Sequence, residues 1–129
     1  MNGVLADTSI WIDHFRTPNA HLMQLLPQDR ILVHPMVQGE VACGTPPQRA
    51  KSLALLALLA DLQPVPHASL REVLLLVERE KLYGQGCGLI DLMLLASVLL
   101  LPGARLWTLD RRLSVLTQRF GVHYGELSH

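Results

Sequence analysis

Twice in this chain a short apolar run ends in a carboxylate and passes straight into a helix. Val4-Leu5-Ala6 reads as a buried strand closed by Asp7, and Thr8 or Ser9 then caps a helix bearing Ile10, Trp11 and Phe15. Arg105-Leu106-Trp107-Thr108-Leu109 repeats the pattern, with Asp110 at its end and a basic helix, Arg111 to Arg119, behind it. Between them Ile31-Leu32-Val33 reads as another strand, and Pro35 opens a helix that runs to Gly44. Gly121-Val122-His123-Tyr124 can supply a last edge strand, and Glu126 to His129 a frayed tail. Strands alternating with helices predict an α/β fold, a Rossmann-like parallel sheet of four to five strands flanked by helices on both faces. Ligands bind such sheets beyond the carboxyl ends of the strands, which is where Asp7 and Asp110 stand. Taken alone, Asp7 reads as a turn residue or part of the cap.

The remaining helices are predicted from His21 to Leu26, from Gln48 to Leu62, from Ser69 towards Gly84, and from Leu89 to Leu101. Ser69-Leu70-Arg71-Glu72 is a capping box. The Gln48 helix is apolar on more than one face and leaves an outer face for a partner. The Leu89 helix is apolar all round except for Asp91 and Ser97, so it is expected to be the central buried helix, with Asp91 in its first turn. Gly84-Gln85-Gly86-Cys87-Gly88 before it lacks the Lys and Ser or Thr of a phosphate-cradling loop.

The chain has 129 residues, half of them hydrophobic, which suits one domain over residues 1–129. Eleven basic and eleven acidic residues cancel, so no global field draws the protein to nucleic acid or an anionic membrane. An anionic partner must be held by a local patch. Two cysteines, Cys43 and Cys87, are too few and too distant for a metal knuckle, and are expected to be reduced, buried and structural, as in a cytoplasm. No signal peptide is visible, and the apolar run Leu92 to Leu101 is shorter than the roughly 20 residues a bilayer needs. A soluble cytoplasmic protein with no membrane partner is expected, and a mean hydropathy of +0.28 suggests that a partner or second copy covers some apolar surface.

Four acids share one description. Asp7 and Asp110 end strands, Asp91 opens a buried helix, and Glu40 lies about one turn into a helix after a strand, on or beside an apolar stripe of Met36, Val37 and Val41. In a doubly wound sheet these positions lie along one edge. Converging carboxylates repel by roughly 4 kcal/mol for two charges about 4 Å apart at an effective dielectric of 20, so the group must hold protons or a cation. With oxygen ligands only, the natural cation is Mg²⁺ or Mn²⁺. Such a site suits phosphodiester hydrolysis.

Val4-Leu5-Ala6-Asp7-Thr8-Ser9 with Trp11-Ile12-Asp13, Gly39-Glu40 with Gly44, Gly88-Leu89-Ile90-Asp91 followed by Ala96, and Leu106-Trp107-Thr108-Leu109-Asp110-Arg111-Arg112 together resemble the PIN-domain ribonucleases, especially the VapC toxins of bacterial toxin–antitoxin pairs. The resemblance covers nearly the whole chain. It implies a PIN-like fold in which Asp7, Glu40, Asp91 and Asp110 form the acidic metal-binding quartet, supported by the hydroxyls of Thr8 or Ser9 and Thr108. It also implies a Mg²⁺-dependent endoribonuclease acting on single-stranded or loop RNA, forming a homodimer and neutralised by a cognate antitoxin. Two departures, Leu113 in place of a frequent aromatic residue and Pro102-Gly103 after the central helix, leave the quartet intact. On this reading Asp7 and Asp91 hold Mg²⁺ most directly, while Glu40 and Asp110 complete the shell or orient water.

Arg111, Arg112 and Arg16 are candidate RNA contacts or ordinary solvated residues. Trp11 and Trp107 sit in apolar runs and read as core more than as base-stacking groups. His14 and His34 lie nearest the expected site and carry no assigned chemistry. Two other readings compete: a haloacid-dehalogenase-like phosphatase, which wants a second Asp where Ser9 stands, and a catalytically silent PIN-like scaffold that binds a protein through its leucine-rich helices.

Overall fold

A computed structural model describes residues 2–125. The expected tail from Glu126 to His129 lies outside the described residues. The elements run β1 (Val4–Ala6), α1 (Thr8–Arg16), α2 (Ala20–Leu25), a 3₁₀ turn (Leu26–Gln28), β2 (Ile31–Leu32), α3 (Pro35–Cys43), α4 (Arg49–Leu62), α5 (Leu70–Glu80), α6 (Leu89–Leu99), β3 (Arg105–Trp107) and α7 (Arg111–Arg119).

The sheet is parallel, in the order β2-β1-β3, with Val4 opposite Ile31 and Arg105, and Ala6 opposite Trp107. β1 is central and all three of its side chains are buried, as expected of an apolar strand covered on both sides. The chain leaves β1 towards β2 on one side, then crosses back to β3 on the other. Right-handed crossovers therefore place the intervening helices on opposite faces and put the switch of strand order between β1 and β3.

Three strands form among the described residues, not four to five. The segment 121–124 does reach the sheet edge, where Leu106 N donates to Val122 O at 2.8 Å and Tyr124 N donates to Leu106 O at 3.1 Å. It makes one isolated parallel bridge, Leu106 to His123. Gly121 (φ 69°) and Gly125 (φ 101°) turn the backbone into left-handed conformations at its two ends, and the segment between them stops at that bridge.

α6 is the central helix, burying Leu92, Leu94, Leu95, Ala96, Ser97 and Val98. Ser97 satisfies its buried hydroxyl completely. It donates to Met93 O at 2.8 Å, accepts from Ala68 N at 3.0 Å and meets His34 Nε2 at 3.2 Å. His34 is 2 % exposed and its Nδ1 accepts from Met36 N, capping α3. Nδ1 as acceptor leaves Nε2 to carry the proton, so the ring is neutral and donates to Ser97. One serine thus ties the start of α3 and the loop before α5 to the middle of α6.

α5 opens with the expected reciprocal capping box of Ser69 and Glu72, and ends at Glu80 with Lys81 in a left-handed conformation, earlier than Gly84. α1 differs in its cap. Asp7, not Thr8 or Ser9, occupies the N-cap and accepts from Ile10 N at 3.2 Å. Both cysteines are free thiols as expected, but Cys43, at the end of α3, is exposed, and Cys87, just before α6, is only partly covered where it packs against the edge of the core.

Candidate active site

The switch point between β1 and β3 carries the site. Asp7 ends β1, is 4 % exposed, and has both carboxylate oxygens occupied. Ser9 Oγ donates to Oδ1 at 2.5 Å, beside the Ile10 amide, and Thr108 Oγ1 donates to Oδ2 in a very short hydrogen bond. The hydroxyls are themselves anchored across the switch point: Leu109 N donates to Ser9 Oγ and Asp110 N to Thr108 Oγ1, each at 2.9 Å. β3 and the turn after it therefore clasp Asp7, and both ends of the clasp are hydroxyls expected from the sequence.

Glu40 projects from the second turn of α3 and is exposed rather than set against a buried stripe. Thr8 Oγ1 donates to its Oε1 at 2.6 Å, across 32 residues of chain. Asp91 sits half-buried in the first turn of α6. Asp110 is exposed and caps α7, its Oδ1 accepting from Arg112 N at 2.8 Å and Leu113 N at 3.0 Å.

The electrostatics bring the four acids together. Burial raises the Asp91 carboxyl above its ordinary range, the Gly88 amide pulls it back, and Asp110, Asp7 and Glu40 each push it up again through space. Asp91 thus senses all three other carboxylates. Burial likewise raises Asp7, against the opposing pull of Ser9, Thr108 and Ile10. Cys87, just before α6, is pushed up to about 11 by burial and then by Asp91 and Asp110, with Arg112 opposing. A thiol so shifted is protonated at neutral pH and is no nucleophile.

Among the described residues, no three His, Cys, Asp or Glu groups come close enough to form a ready-made metal cage. Asp7, Glu40 and Asp110 lie near enough to Asp91 to raise its pKa through space. An open set of this kind suits a hard divalent cation held by one or two carboxylates and several waters, which is the habit of Mg²⁺. The donor set is entirely oxygen, and its mutual repulsion favours a positive charge in its midst.

The three arginines part company. Arg112 lies across the glycine-rich loop, so closely that a Cβ on Gly86 would stand 2.6 Å from Arg112 Cδ. Arg111 lines a hollow of about 250 Å³ with Trp107, Thr108 and Tyr124. Arg16 ends α1, roughly 13 Å along the axis from Asp7 at 1.5 Å per residue, and does not join them. Trp11 is fully buried and Trp107 is 9 % exposed, so both are core residues, although Trp107 also forms a pocket wall.

Two features gave no warning in the sequence. His34 supplies a buried polar link behind the site, and His21, Trp107 and Tyr124 form a ring cluster from three distant segments. The only available signal for the first was a polar Ser97 in an otherwise apolar helix.

The PIN domain family model matches residues 4–118. The chain is 45 % identical over 123 residues to Ribonuclease VapC32 of Mycobacterium tuberculosis, in strain CDC 1551 / Oshkosh and in strain ATCC 25618 / H37Rv. The alignment spans 95 % of this chain and 97 % of that protein.

Proposed function

The chain belongs to the PIN-domain family, and we propose that it is a Mg²⁺- or Mn²⁺-dependent endoribonuclease that cuts single-stranded or loop RNA, the toxin of a type II toxin–antitoxin pair. The observation that carries this reading is geometric: Asp7 at the carboxyl end of β1 is held by the hydroxyls of Ser9 and Thr108, while Thr8 beside it holds Glu40 and Asp110 caps the helix that follows β3. The name of the relative at 45 % identity, a ribonuclease, supplies the substrate class.

Asp7 and Asp91 hold the cation most directly, and Glu40 and Asp110 complete its shell or orient the attacking water. The cation, when bound, lowers the pKa of water and offsets charge at the phosphate. The rest is the work of side chains. Ser9 and Thr108 fix the Asp7 carboxylate between them and pull its pKa down against the larger upward push of burial. Thr8 fixes Glu40. Arg111 and Arg112, the two residues that follow Asp110, offer guanidinium groups to substrate phosphates.

The phosphatase alternative wants a second Asp two residues after Asp7, and Ser9 stands there, its hydroxyl donating to Asp7 Oδ1. No membrane partner is proposed: among the described residues no helix is long and apolar enough to cross a bilayer. A cytoplasmic homodimer with a cognate antitoxin completes the reading. Leu58 and Leu62 on α4, and Leu70, Leu74 and Leu75 on α5, each more than half exposed, are apolar surface for such partners.

The test is the sequencing of RNA ends produced by purified protein with Mg²⁺. The parent is expected to cut, and Asp7→Ala to lose both cutting and Mg²⁺ binding in a calorimetric titration while keeping its circular dichroism. A folded Asp7→Ala protein that cuts like the parent sinks the proposal. No Mg²⁺ or Mn²⁺ binding by the parent leaves the scaffold reading in its place.

A further inference from the structure

The hollow beside the carboxylates is built differently from the rest of the surface. Its walls are Trp107, Thr108, Leu109, Arg111 and Tyr124, and its volume is about 250 Å³. That lies below the roughly 300–1,000 Å³ of pockets for drug-sized ligands and suits one flat ring system. Thr108 belongs to both places at once, since it lines the hollow and donates to Asp7. None of the four carboxylates lines the hollow, so Thr108 is the side chain that joins it to Asp7.

Its aromatic wall is fixed in advance. His21, from α2, stacks on Tyr124 with planes 19° apart and shares a 2.5 Å hydrogen bond between Nε2 and the phenol oxygen. The same imidazole meets Trp107 edge-on, with centroids 5.4 Å apart, and Trp107 and Tyr124 meet at 62° with centroids 5.5 Å apart. His21, itself exposed and outside the lining of the hollow, holds Tyr124 in place before any ligand arrives, which lowers the ordering cost of binding. Arg111 brings a guanidinium to the same rim.

The zero net charge sharpens the point. Without a global field, RNA must be held by local contacts, and stacking of a base on a fixed aromatic wall is the strongest of these available to an unpaired strand. We infer that this hollow is a nucleobase subsite, in which one unpaired base next to the cleaved phosphodiester stacks against Tyr124 and Trp107 while Arg111 holds its phosphate. The inference rests on the endoribonuclease reading of the cleft.

The experiment is digestion of a randomised single-stranded RNA pool with Mg²⁺ by the parent, Tyr124→Phe, Tyr124→Leu, Arg111→Gln and Asp7→Ala proteins, followed by sequencing of the new ends. The parent is expected to cut with only a modest base preference at the position beside the cut, because stacking accepts every base. Tyr124→Phe keeps the parent's KM to within about twofold, because the ring remains. Tyr124→Leu raises KM by roughly tenfold, more than it lowers kcat, and flattens the preference. Arg111→Gln, a surface change, raises KM alone and decides the matter if Tyr124→Leu does not fold. Tyr124→Leu or Arg111→Gln cutting with the parent's preference and KM overturns the subsite while leaving the nuclease intact. Cutting by Asp7→Ala, or none by the parent, overturns the cleft reading itself.

Discussion

Acid should loosen this protein through His34 before it protonates most of the surface carboxylates. The ring is buried, and burial first, then the neighbouring His67, holds its pKa down at about 4, against 6.5 for the free side chain. Its Nδ1 accepts the Met36 amide at 3.0 Å. A proton on Nδ1 abolishes that bond and places a charge beside Ser97, inside the link between α3 and α6. The sign follows directly. Between pH 6.5 and pH 4 the unfolded chain binds a proton at His34 that the folded chain refuses, so stability falls as pH falls. With those two pKa values, the loss from about pH 7.5 to about pH 4.5 is roughly 2.5 kcal/mol. For a chain of this size that is a drop of roughly 8–12 °C in Tm from this residue. The measurement is thermal or urea unfolding across that range for the parent and for His34→Gln. The Gln side chain can accept from Met36 and donate to Ser97 but does not titrate, and the parent-minus-variant difference isolates the residue. A His34→Gln protein that loses as much stability as the parent refutes the argument, as does a His34 ring titrating near 6.5 by NMR.

Thr108→Val keeps the shape and removes the hydroxyl that lowers the Asp7 pKa; the acid limb of the cleavage rate against pH is expected to move to higher pH, and an unmoved limb would separate Thr108 from Asp7. Asp91→Asn removes a half-buried charge that three carboxylates oppose, so without metal its Tm at neutral pH should exceed the parent's, while the rise in Tm on adding Mg²⁺ shrinks or disappears; equal Mg²⁺ responses would count against a metal role for Asp91. Gly86→Ala puts a Cβ at φ 84° and 2.6 Å from Arg112 Cδ, with an expected cost of about 1–2 kcal/mol in urea unfolding; an unchanged midpoint would mean that the loop relaxes freely.

What the sequence made legible is what local pattern decides. The apolar strand closed by Asp7, the buried α6 and the Ser69–Glu72 capping box depend on residues a few positions apart, and each formed; the second strand formed shorter than expected, ending at Trp107, with Thr108 and Leu109 in the turn that leads to Asp110. Where distant segments compete, local pattern is silent. Thr8 and Ser9 have the right chemistry to cap α1, but their hydroxyls were drawn to Glu40 and Asp7 instead, leaving Asp7 as the cap. Glu40 stands beside apolar neighbours in sequence, yet it faces outward because Thr8 meets it there. His21 and Tyr124 stack across a separation of 103 residues, which no periodicity could announce.

The titrations of the scaffold and the site run in opposite senses, and this explains how the fold tolerates its cleft. Asp7 and Asp91 have raised carboxyl pKa values, so the folded state binds their protons more readily than the unfolded chain does, and their contribution to stability falls as pH rises through the window above 3.8. His34 contributes the reverse, reaching its full effect above 6.5. At neutral pH the buried link behind the site is therefore at its strongest while the carboxylates in front of it repel most. Ser97 joins the start of α3, which carries Glu40, to the middle of α6, which carries Asp91, so the link restrains the two helices that this repulsion would part. A cation in the cleft would relieve the repulsion and add to the link, not replace it. The stabilisation by Mg²⁺ should accordingly persist in His34→Gln and fade in Asp91→Asn.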